Sequence, residues 1–366
     1  MSYKYIFLPS LLFSFILLPL ASAAQKIKAD QISETPYTKG GLFNNDEILH
    51  FKLSGNLSKL FSDRSDSSSY YPVLIEYFNK DSNKVSIHLN TKTRGHFRRL
   101  KSNCKMPPLL LDFPKEDKTV TSVFMGQNKL KLVVPCQGDD YVIKEWLVYK
   151  LYNLITDKSF TAKLVLVDFE DSSTHRIKTE THYCILLEDE KKMSIRNDMH
   201  IWKKQMIAMQ DINTEAFKKM AVFQYMIGNT DWSVPYLQNI VLITNDSSKA
   251  PFAIPYDFDH AGIVNAPYAN PASELGIESV RERIYRGFCE KNKNSFLETF
   301  ALFNHLKNDI YNLYINCPLL NHSYIKFVTR YLDNFYKIIN NQNFADAEFR
   351  KPCRTNMHIE LKGLKK

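Results

Sequence analysis

The spacing of apolar residues changes once along this chain, and that change limits the folds that it can adopt. Up to about Pro135, short runs such as residues 71–77 and 84–89 alternate apolar and polar side chains, as strands with one buried face do. From Asp140 to Ile155, apolar residues recur at helical spacing. The pattern predicts a β-rich first half that holds one prominent helix, followed by a mostly helical second half.

Further segments extend this layout. Alternation or apolar runs predict additional strands at residues 48–53, 109–113, 129–134, 163–168 and 182–187. Aromatic stripes at helical spacing predict core helices at residues 216–227 and 324–339. We therefore expect an α+β protein with two lobes and a cleft between them: a β-rich N-terminal lobe, residues 25–190, and an α-rich C-terminal lobe, residues 191–366.

The first 24 residues have the pattern of a cleavable secretory signal. Lys4 precedes an apolar run at residues 6–20, and small residues at 21–24 form the pattern that signal peptidase recognises. The run is shorter than the roughly 20 clean apolar residues of a membrane span, and an uncleaved anchor is the alternative. We expect an exported protein, secreted or held in the periplasm or cell envelope, whose mature chain has no membrane span.

The cysteines and the charge fit an exported protein with anionic partners. Six cysteines, an even number, favour disulfides in an exported chain, although their connectivity stays open. No Cys-x-x-Cys pair is present, which argues against a zinc knuckle or a thioredoxin-type redox site. The formal net charge is +9, which favours nucleotide phosphates or anionic envelope polymers. No nucleic-acid-binding module is present, so we expect no nucleic-acid partner.

Two acidic motifs carry the chemistry that the sequence offers. Asp231 lies in a Gly-Asn-Thr-Asp-Trp-Ser segment, and Asp257, 26 residues later, begins an Asp-Phe-Asp triplet. Asn239 lies on the apolar segment between them. Phosphoryl transfer needs such groups, because carboxylate and amide oxygens hold Mg²⁺ against phosphates and a carboxylate orients the attacking hydroxyl. The alternative is that these residues, which favour turns, only cap a helix.

These motifs resemble the atypical kinases of the CotH (spore-coat protein H) family, whose fold is similar to that of protein and lipid kinases. The resemblance has three parts: an Arg-Gly turn with a lysine-led strand at residues 92–113, the segment 228–239, and the segment 255–262. Together they extend over about half of the mature chain. The resemblance therefore implies a two-lobed protein-kinase-like fold.

The resemblance also implies roles for individual residues. Asp231 would be the catalytic aspartate that orients the acceptor. The residues implied for Mg²⁺ or Mn²⁺ are Asn239, Asp257 and Asp259. Those implied for binding ATP, or another nucleotide, are Arg94, Gly95, Lys105 and Glu145, with Glu145 holding Lys105 in place. Arg98 and Arg99 would put further guanidinium groups near the nucleotide.

One departure from the family pattern leaves two outcomes open. Related kinases place the metal-binding asparagine five residues after the catalytic aspartate, where this chain has Tyr236. Asn239 lies eight residues after Asp231, so three residues are inserted. The insertion either bulges out and leaves Asn239 aligned, or it removes the asparagine from the site.

The sequence therefore predicts an exported kinase-like protein that binds a nucleotide with a divalent metal and transfers a phosphoryl group to a protein or envelope component. Two alternatives remain from the same residues. One is a non-catalytic pseudokinase that binds an anionic ligand through its arginines. The other is a structural envelope protein in which the acidic motifs are turns.

Overall fold

The computed structural model describes residues 1–2, 41–114, 122–173, 178–208, 211–245, 250–292 and 294–350. Residues 41–350 belong to one compact unit. The predicted signal sequence lies outside the described residues except for its first two. Within the described ranges, no helix is long and apolar enough to cross a membrane.

Seven strands of the first half form a closed barrel in the order β1-β2-β3-β4-β5-β7-β6. They are β1 (Leu49–Gly55), β2 (Tyr71–Phe78), β3 (Lys84–Thr93), β4 (Leu109–Asp112), β5 (Lys129–Val133), β6 (Ala162–Asp171) and β7 (Lys178–Leu187). Neighbouring strands are antiparallel except β1 and β6, whose parallel pairing closes the barrel. The alternating side chains explain this arrangement, because every second residue, such as Leu53, Ile75 and Leu132, is fully buried inside.

The other elements are helices and one small sheet. The helices are α1 (Leu57–Ser62), α2 (Asp139–Ile155), α3 (Glu190–Arg196), α4 (Thr214–Ile227), α5 (Leu297–His305), α6 (Lys307–Ile315), α7 (His322–Ile339) and α8 (Gln342–Phe349). The small antiparallel sheet consists of β8 (His200–Trp202), β9 (Ile240–Thr244) and β10 (Phe252–Pro255), with β9 in the centre.

Two hydrophobic cores organise the described residues. One fills the barrel, and the other joins α2 to α4, to the small sheet and to the C-terminal helices. Helix α2 begins with Asp139 and Asp140, where the helix dipole favours negative charge. Its buried face packs on β6 and β7, whose outward-facing residues, such as Leu164 and Ile185, are therefore buried as well.

The strands and helices predicted from the sequence are all present, within a few residues at their ends, and the mixed content of helix and strand is confirmed. Barrel closure was not predicted. Alternation shows that one face of each strand is buried, but it does not reveal that the first strand pairs with β6, more than 100 residues later. The lobe boundaries at residues 25–190 and 191–366 stay predictions.

The disulfide prediction is confirmed for one fully described pair. Cys104, in the loop between β3 and β4, is bonded to Cys136, two residues before the Gly138 that caps α2. Cys289 is also disulfide-bonded. Cys184 and Cys317 are free thiols.

Candidate functional site

A cavity of about 600 Å³ collects most of the predicted site residues. Its walls come from the loop after β3, from β5 and α2, and from the segments that follow α4 and β10. Its polar lining includes Arg94, Arg98, Lys131, Asp231, Gln238, Asn239, Asp257, Asp259 and His260. Groups far apart in the sequence thus line one cavity.

The loop that carries Asp231 is held rigidly at the end of α4. Gly228 ends this helix with a left-handed φ of 68°, and a Cβ added there would lie 2.1 Å from the Tyr331 hydroxyl. The Asn229 side chain accepts a 3.0 Å hydrogen bond from the Asp231 N–H. Arg286 donates to the carbonyls of Thr230 and Trp232 on either side of Asp231. The aspartate therefore projects from a fixed backbone.

The inserted residues form a closed turn. Ser233 and Gln238 exchange two backbone hydrogen bonds, each 3.0 Å long, and the four residues between them make the turn. The chain then returns so that Asn239 donates through Nδ2 to the backbone carbonyl of Asp231 at 2.8 Å and to its Oδ2 at 3.0 Å. Of the two outcomes left open by the sequence, the structure has the bulge that keeps Asn239 beside Asp231.

Both carboxylate oxygens of Asp231 receive amide donors. Gln238 Nε2 donates to Oδ1, and Asn239 Nδ2 donates to Oδ2. Burial raises the pKa of Asp231, and nearby Asp259 raises it further, whereas His260 lowers it. The amide nitrogen of Asn239 is engaged by Asp231, and its side-chain carbonyl oxygen makes no hydrogen bond with any described residue.

Asp257 follows β10 and has an unusual backbone conformation. Its φ is 63° and that of Asn239 is 52°, a left-handed region that costs free energy in residues other than glycine. The Asp257 N–H donates to the Tyr149 hydroxyl at 2.9 Å. Its carboxylate makes no hydrogen bond or ion pair with any described residue. Burial raises the pKa of Asp257 to about 6, with a further contribution from Asp259.

Asp259 belongs to a buried network around Arg98. Arg98 donates through Nε to Asp259 at 2.9 Å and through Nη2 to Glu145 and to the Tyr268 hydroxyl, both at 3.0 Å. Tyr268 in turn donates to Asp259 at 3.1 Å. Burial opposes ionisation of Asp259, but Arg98 and His260 outweigh it and lower its pKa. The network ties the loop after β3, helix α2 and the segment after β10 together.

Glu145 is the most desolvated acid in this network. Its side chain is fully buried, and its Oε1 has no hydrogen-bond partner. Burial raises its pKa to about 8 even though Arg98 acts in the opposite direction. Glu145 therefore pairs with Arg98. The resemblance to the CotH family implied that it would pair with Lys105.

Two cations line the cavity opposite the acidic groups. The Arg94 guanidinium makes no hydrogen bond or ion pair with any described residue, and its neighbour Gly95 has a left-handed φ of 85°, which glycine adopts without strain. Lys131 on β5 forms a 2.6 Å ion pair with Glu190, and its Nζ lies 4.7 Å from the Tyr256 ring centroid. Burial lowers the pKa of Lys131, and Arg94 lowers it further.

Two predicted cations do not reach the cavity. The Lys105 side chain is 78% exposed and lies 3.4 Å from Glu180. Arg99 donates to the Ser65 carbonyl at 2.8 Å and pairs with Asp66. The structure instead brings Lys131 into the site. Little in the sequence indicated this, because Lys131 alternates with buried leucines and is typical of a solvent-facing strand position.

The polar groups around Asp257 fit a divalent cation held together with a ligand. Among the described residues, no three His, Cys, Asp or Glu side chains are arranged to hold a metal by themselves. Asp257 and Asn239 both line the cavity, and neither the Asp257 carboxylate nor the Asn239 amide oxygen is hydrogen-bonded to a described residue. Mg²⁺ is commonly bound by one or two such protein oxygens together with the phosphates of a substrate. The donor set therefore matches a metal–nucleotide pair better than a free metal.

Comparison with known proteins found weak similarity to solved structures and no match in sequence. No protein-family model and no curated protein matches the sequence. The crystal structure of the Helicobacter pylori proinflammatory kinase CtkA is 12% identical and has a TM-score of 0.38, over 66% of this chain and 94% of that one. A Golgi casein kinase with Mn/ADP bound is 9% identical, with a TM-score of 0.35, over 84% of this chain and 75% of that one. Both are kinases, but similarity of this size does not decide the fold or the function.

Proposed function

We propose that this chain is an exported protein of two-lobed, kinase-like fold that binds a nucleotide with Mg²⁺ or Mn²⁺ and transfers a phosphoryl group to a protein or envelope component. The observation that carries this proposal is the convergence of Asp231, Asn239 and Asp257 on one cavity. The first and last of these are 26 residues apart in sequence. If they were only turn formers, nothing would require them to face the same volume.

Each acidic residue has a distinct role in this proposal. Asp231 accepts the proton of the acceptor hydroxyl. The hydroxyl oxygen then bonds to the terminal phosphorus of the nucleotide, and the nucleoside diphosphate leaves. Asp257 and the carbonyl oxygen of Asn239 hold the cation, which neutralises charge on the phosphates when bound. Asp259 holds Arg98 through Oδ2, which accepts from Arg98 and Tyr268. It also lines the cavity, so Oδ1 is a further oxygen for the cation.

The opposite wall supplies the nucleotide contacts. Arg94 is a planar donor fork whose guanidinium is not bonded to any described residue, which suits a phosphate. Gly95 lets the backbone of this loop approach the ligand closely. Pro108, Val133 and Leu187 give the cavity an apolar end beside these groups, as expected of a site for a nucleoside base.

Export is part of the same proposal. It is supported by the N-terminal sequence pattern and by the disulfide between Cys104 and Cys136, because disulfides persist mainly in oxidising compartments. The net charge of +9 supports an anionic acceptor in the envelope.

A second candidate function keeps the cavity but not the reaction. The Arg94 guanidinium, which is not bonded to any described residue, and the raised pKa of Asp257, to about 6, favour a pseudokinase that binds an anionic ligand without a metal. In this version Asp257 is partly protonated near neutral pH. Nucleotide binding would then be independent of divalent cations.

A thermal-shift titration separates these candidates. The mature, oxidised protein is titrated with ATP in the presence of Mn²⁺, Mg²⁺ or a chelator, beside Asp257→Asn. A ligand that binds only the folded state raises the melting temperature. A rise that needs the metal and is lost in the variant supports the kinase-like site, and a rise unaffected by chelator and by the variant supports the pseudokinase. No rise with any nucleotide would contradict the kinase-like site and would favour a protein that binds an anionic envelope polymer or has a structural role.

A further inference from the structure

Gln238 contacts the proposed catalytic group, although neither the motif nor the resemblance to kinases drew attention to it. Its backbone N–H and carbonyl are both bonded to Ser233, in the turn that closes the inserted segment. Its side chain lines the cavity, and Nε2 donates to Oδ1 of Asp231. The insertion that departs from the kinase pattern is therefore also the segment that places this glutamine.

The two amides act on different oxygens of Asp231. Gln238 occupies one lone pair of Oδ1, and Asn239 occupies one lone pair of Oδ2 at 3.0 Å. A carboxylate held by one donor can rotate about its Cβ–Cγ bond, whereas donors on both oxygens fix its plane. Each oxygen keeps a second lone pair that can accept a proton.

The backbone around this pair is fixed from both sides. Arg286 bonds to the carbonyls of Thr230 and Trp232, which hold the aspartate main chain. The backbone bridge between Gln238 and Ser233 holds the glutamine main chain, seven residues after Asp231 in the sequence. Two anchored backbones joined by a side-chain hydrogen bond leave the carboxylate little freedom.

We propose that Gln238 is a positioning residue, which orients the Asp231 carboxylate towards the acceptor hydroxyl without contacting the nucleotide or the metal. The inference rests on the proposed phosphoryl transfer. It predicts that loss of the amide donor slows the chemical step and leaves nucleotide binding intact, because Asn239 and Asp257 keep their oxygens. A displacement of about 1 Å in a reacting group can cost on the order of 100-fold in rate.

The test compares Gln238→Met, which keeps the length of the side chain without its donor, and Gln238→Glu, which replaces the donor by an acceptor. The readouts are kcat, KM for ATP and melting temperature, measured with Mn²⁺ and a generic protein acceptor. We expect kcat to fall at least about tenfold in both variants and KM for ATP to change little. The melting temperature should change little in Gln238→Met, whereas the second carboxylate of Gln238→Glu, placed beside buried Asp231, should lower it. Gln342→Met is the matched control, since Gln342 also donates to an aspartate, Asp346, at 3.0 Å but lies on α8, outside the cavity.

The outcomes separate this role from the proposed function. An active wild type whose kcat is unchanged in Gln238→Met overturns the positioning role and leaves the kinase proposal standing. A parallel loss of melting temperature and of ATP binding would make Gln238 a structural residue only, which also overturns the proposal. A wild type that binds ATP with metal but transfers no phosphoryl group overturns both.

Discussion

At the scale of single residues, the candidate site contains groups that reduce the stability of the fold. Asp257 and Asn239 have left-handed backbone angles, and the Asp257 carboxylate is desolvated without a protein partner. Such strain persists where the surrounding structure enforces it, and it is frequent at functional sites. The free-energy cost of burying the Asp257 carboxylate would be offset when a cation binds. This cost should therefore be measurable in the unliganded protein.

We therefore expect Asp257→Asn to stabilise the unliganded protein at pH 7. The pKa of Asp257 is raised from 3.8 to about 6, so the folded state binds more protons than the unfolded state between these values, and its stability falls as pH rises through this window. At about 1.4 kcal/mol per unit, removal of the charge gains on the order of 1–3 kcal/mol at pH 7 and almost nothing near pH 4. Urea unfolding at both pH values measures the difference.

Asp259→Asn is the matched control for this prediction. Its pKa is lowered, with Arg98 the largest favourable contribution, so the charged form stabilises the fold and its removal should have the opposite effect at pH 7. An Asp257→Asn variant that is less stable than the wild type at pH 7 would contradict the account given for its carboxylate.

At the scale of elements, the barrel is reinforced on its outer face by charges that cross three strands. Glu76 on β2 lies 2.9 Å from Lys52 on β1 and 2.6 Å from Lys84 on β3. Hydrogen bonds from Lys84 and Lys52 lower the pKa of Glu76 to about 2. Opposite charges facing each other across strands stabilise pairing by a few tenths of a kcal/mol to about 1 kcal/mol.

We expect Glu76→Gln to destabilise the protein by about 1 kcal/mol at pH 7, a value reduced for the solvent exposure of both lysines. A lowered carboxyl pKa stabilises the fold above its unfolded value of 4.5, and this contribution is lost as pH falls towards about 2. The difference between variant and wild type should therefore shrink below pH 4.5. Denaturant unfolding from pH 7 to pH 3 measures it.

Glu47→Gln provides the comparison, because Glu47 pairs with Lys80 while both side chains are more than half exposed. Such pairs contribute little, so its melting temperature should match that of the wild type. If the two substitutions lowered the melting temperature equally, the cross-strand cluster would have no special role.

The same elements show what the sequence could and could not predict. Alternation located each strand of the barrel, and helical spacing located α2, because these patterns report burial of one face. The alternating pattern at residues 129–133 is consistent with the position of Lys131 on the face opposite the buried leucines. It could not show that this face lines a cavity, since that depends on packing against segments about 100 residues later.

Within the site, the acidic residues could be predicted from the sequence, but the hydrogen bonds that hold them in place could not. Asp231, Asn239 and Asp257 lie in recognisable motifs, and the structure brings them together. Arg98 was expected near the nucleotide, but its contacts with Glu145 and Asp259, which are distant in sequence, were not predicted. Gln238 acts across a turn, and no local pattern distinguishes it from an exposed residue. Lys105 fitted the expected spacing, but the loop that carries it turns its side chain away to Glu180.

At the scale of the whole molecule, the Cys104–Cys136 disulfide links the folding of the chain to its site. It joins the loop that carries Arg94 and Arg98 to the start of α2, whose Glu145 pairs with Arg98. The bonded residues are 32 apart in sequence, and closing a loop of this length stabilises a fold by about 3–4 kcal/mol in the chain-entropy estimate. The same covalent bond thus restrains the loop that carries Arg94 and a buried ion pair.

We expect the double variant Cys104→Ser, Cys136→Ser to lose about 3 kcal/mol of unfolding free energy and to bind ATP with metal several-fold more weakly, because the loop carrying Arg94 is no longer tethered to α2. Cys317→Ser is the control, since Cys317 is a free thiol, and it should change neither property. Reducing agent also breaks the bond of Cys289, so the double variant isolates the effect of the Cys104–Cys136 disulfide. If the variant lost stability but bound ATP as tightly as the wild type, the Arg98–Glu145 contact alone would be sufficient to hold the loop, and the disulfide would serve the fold and not the site.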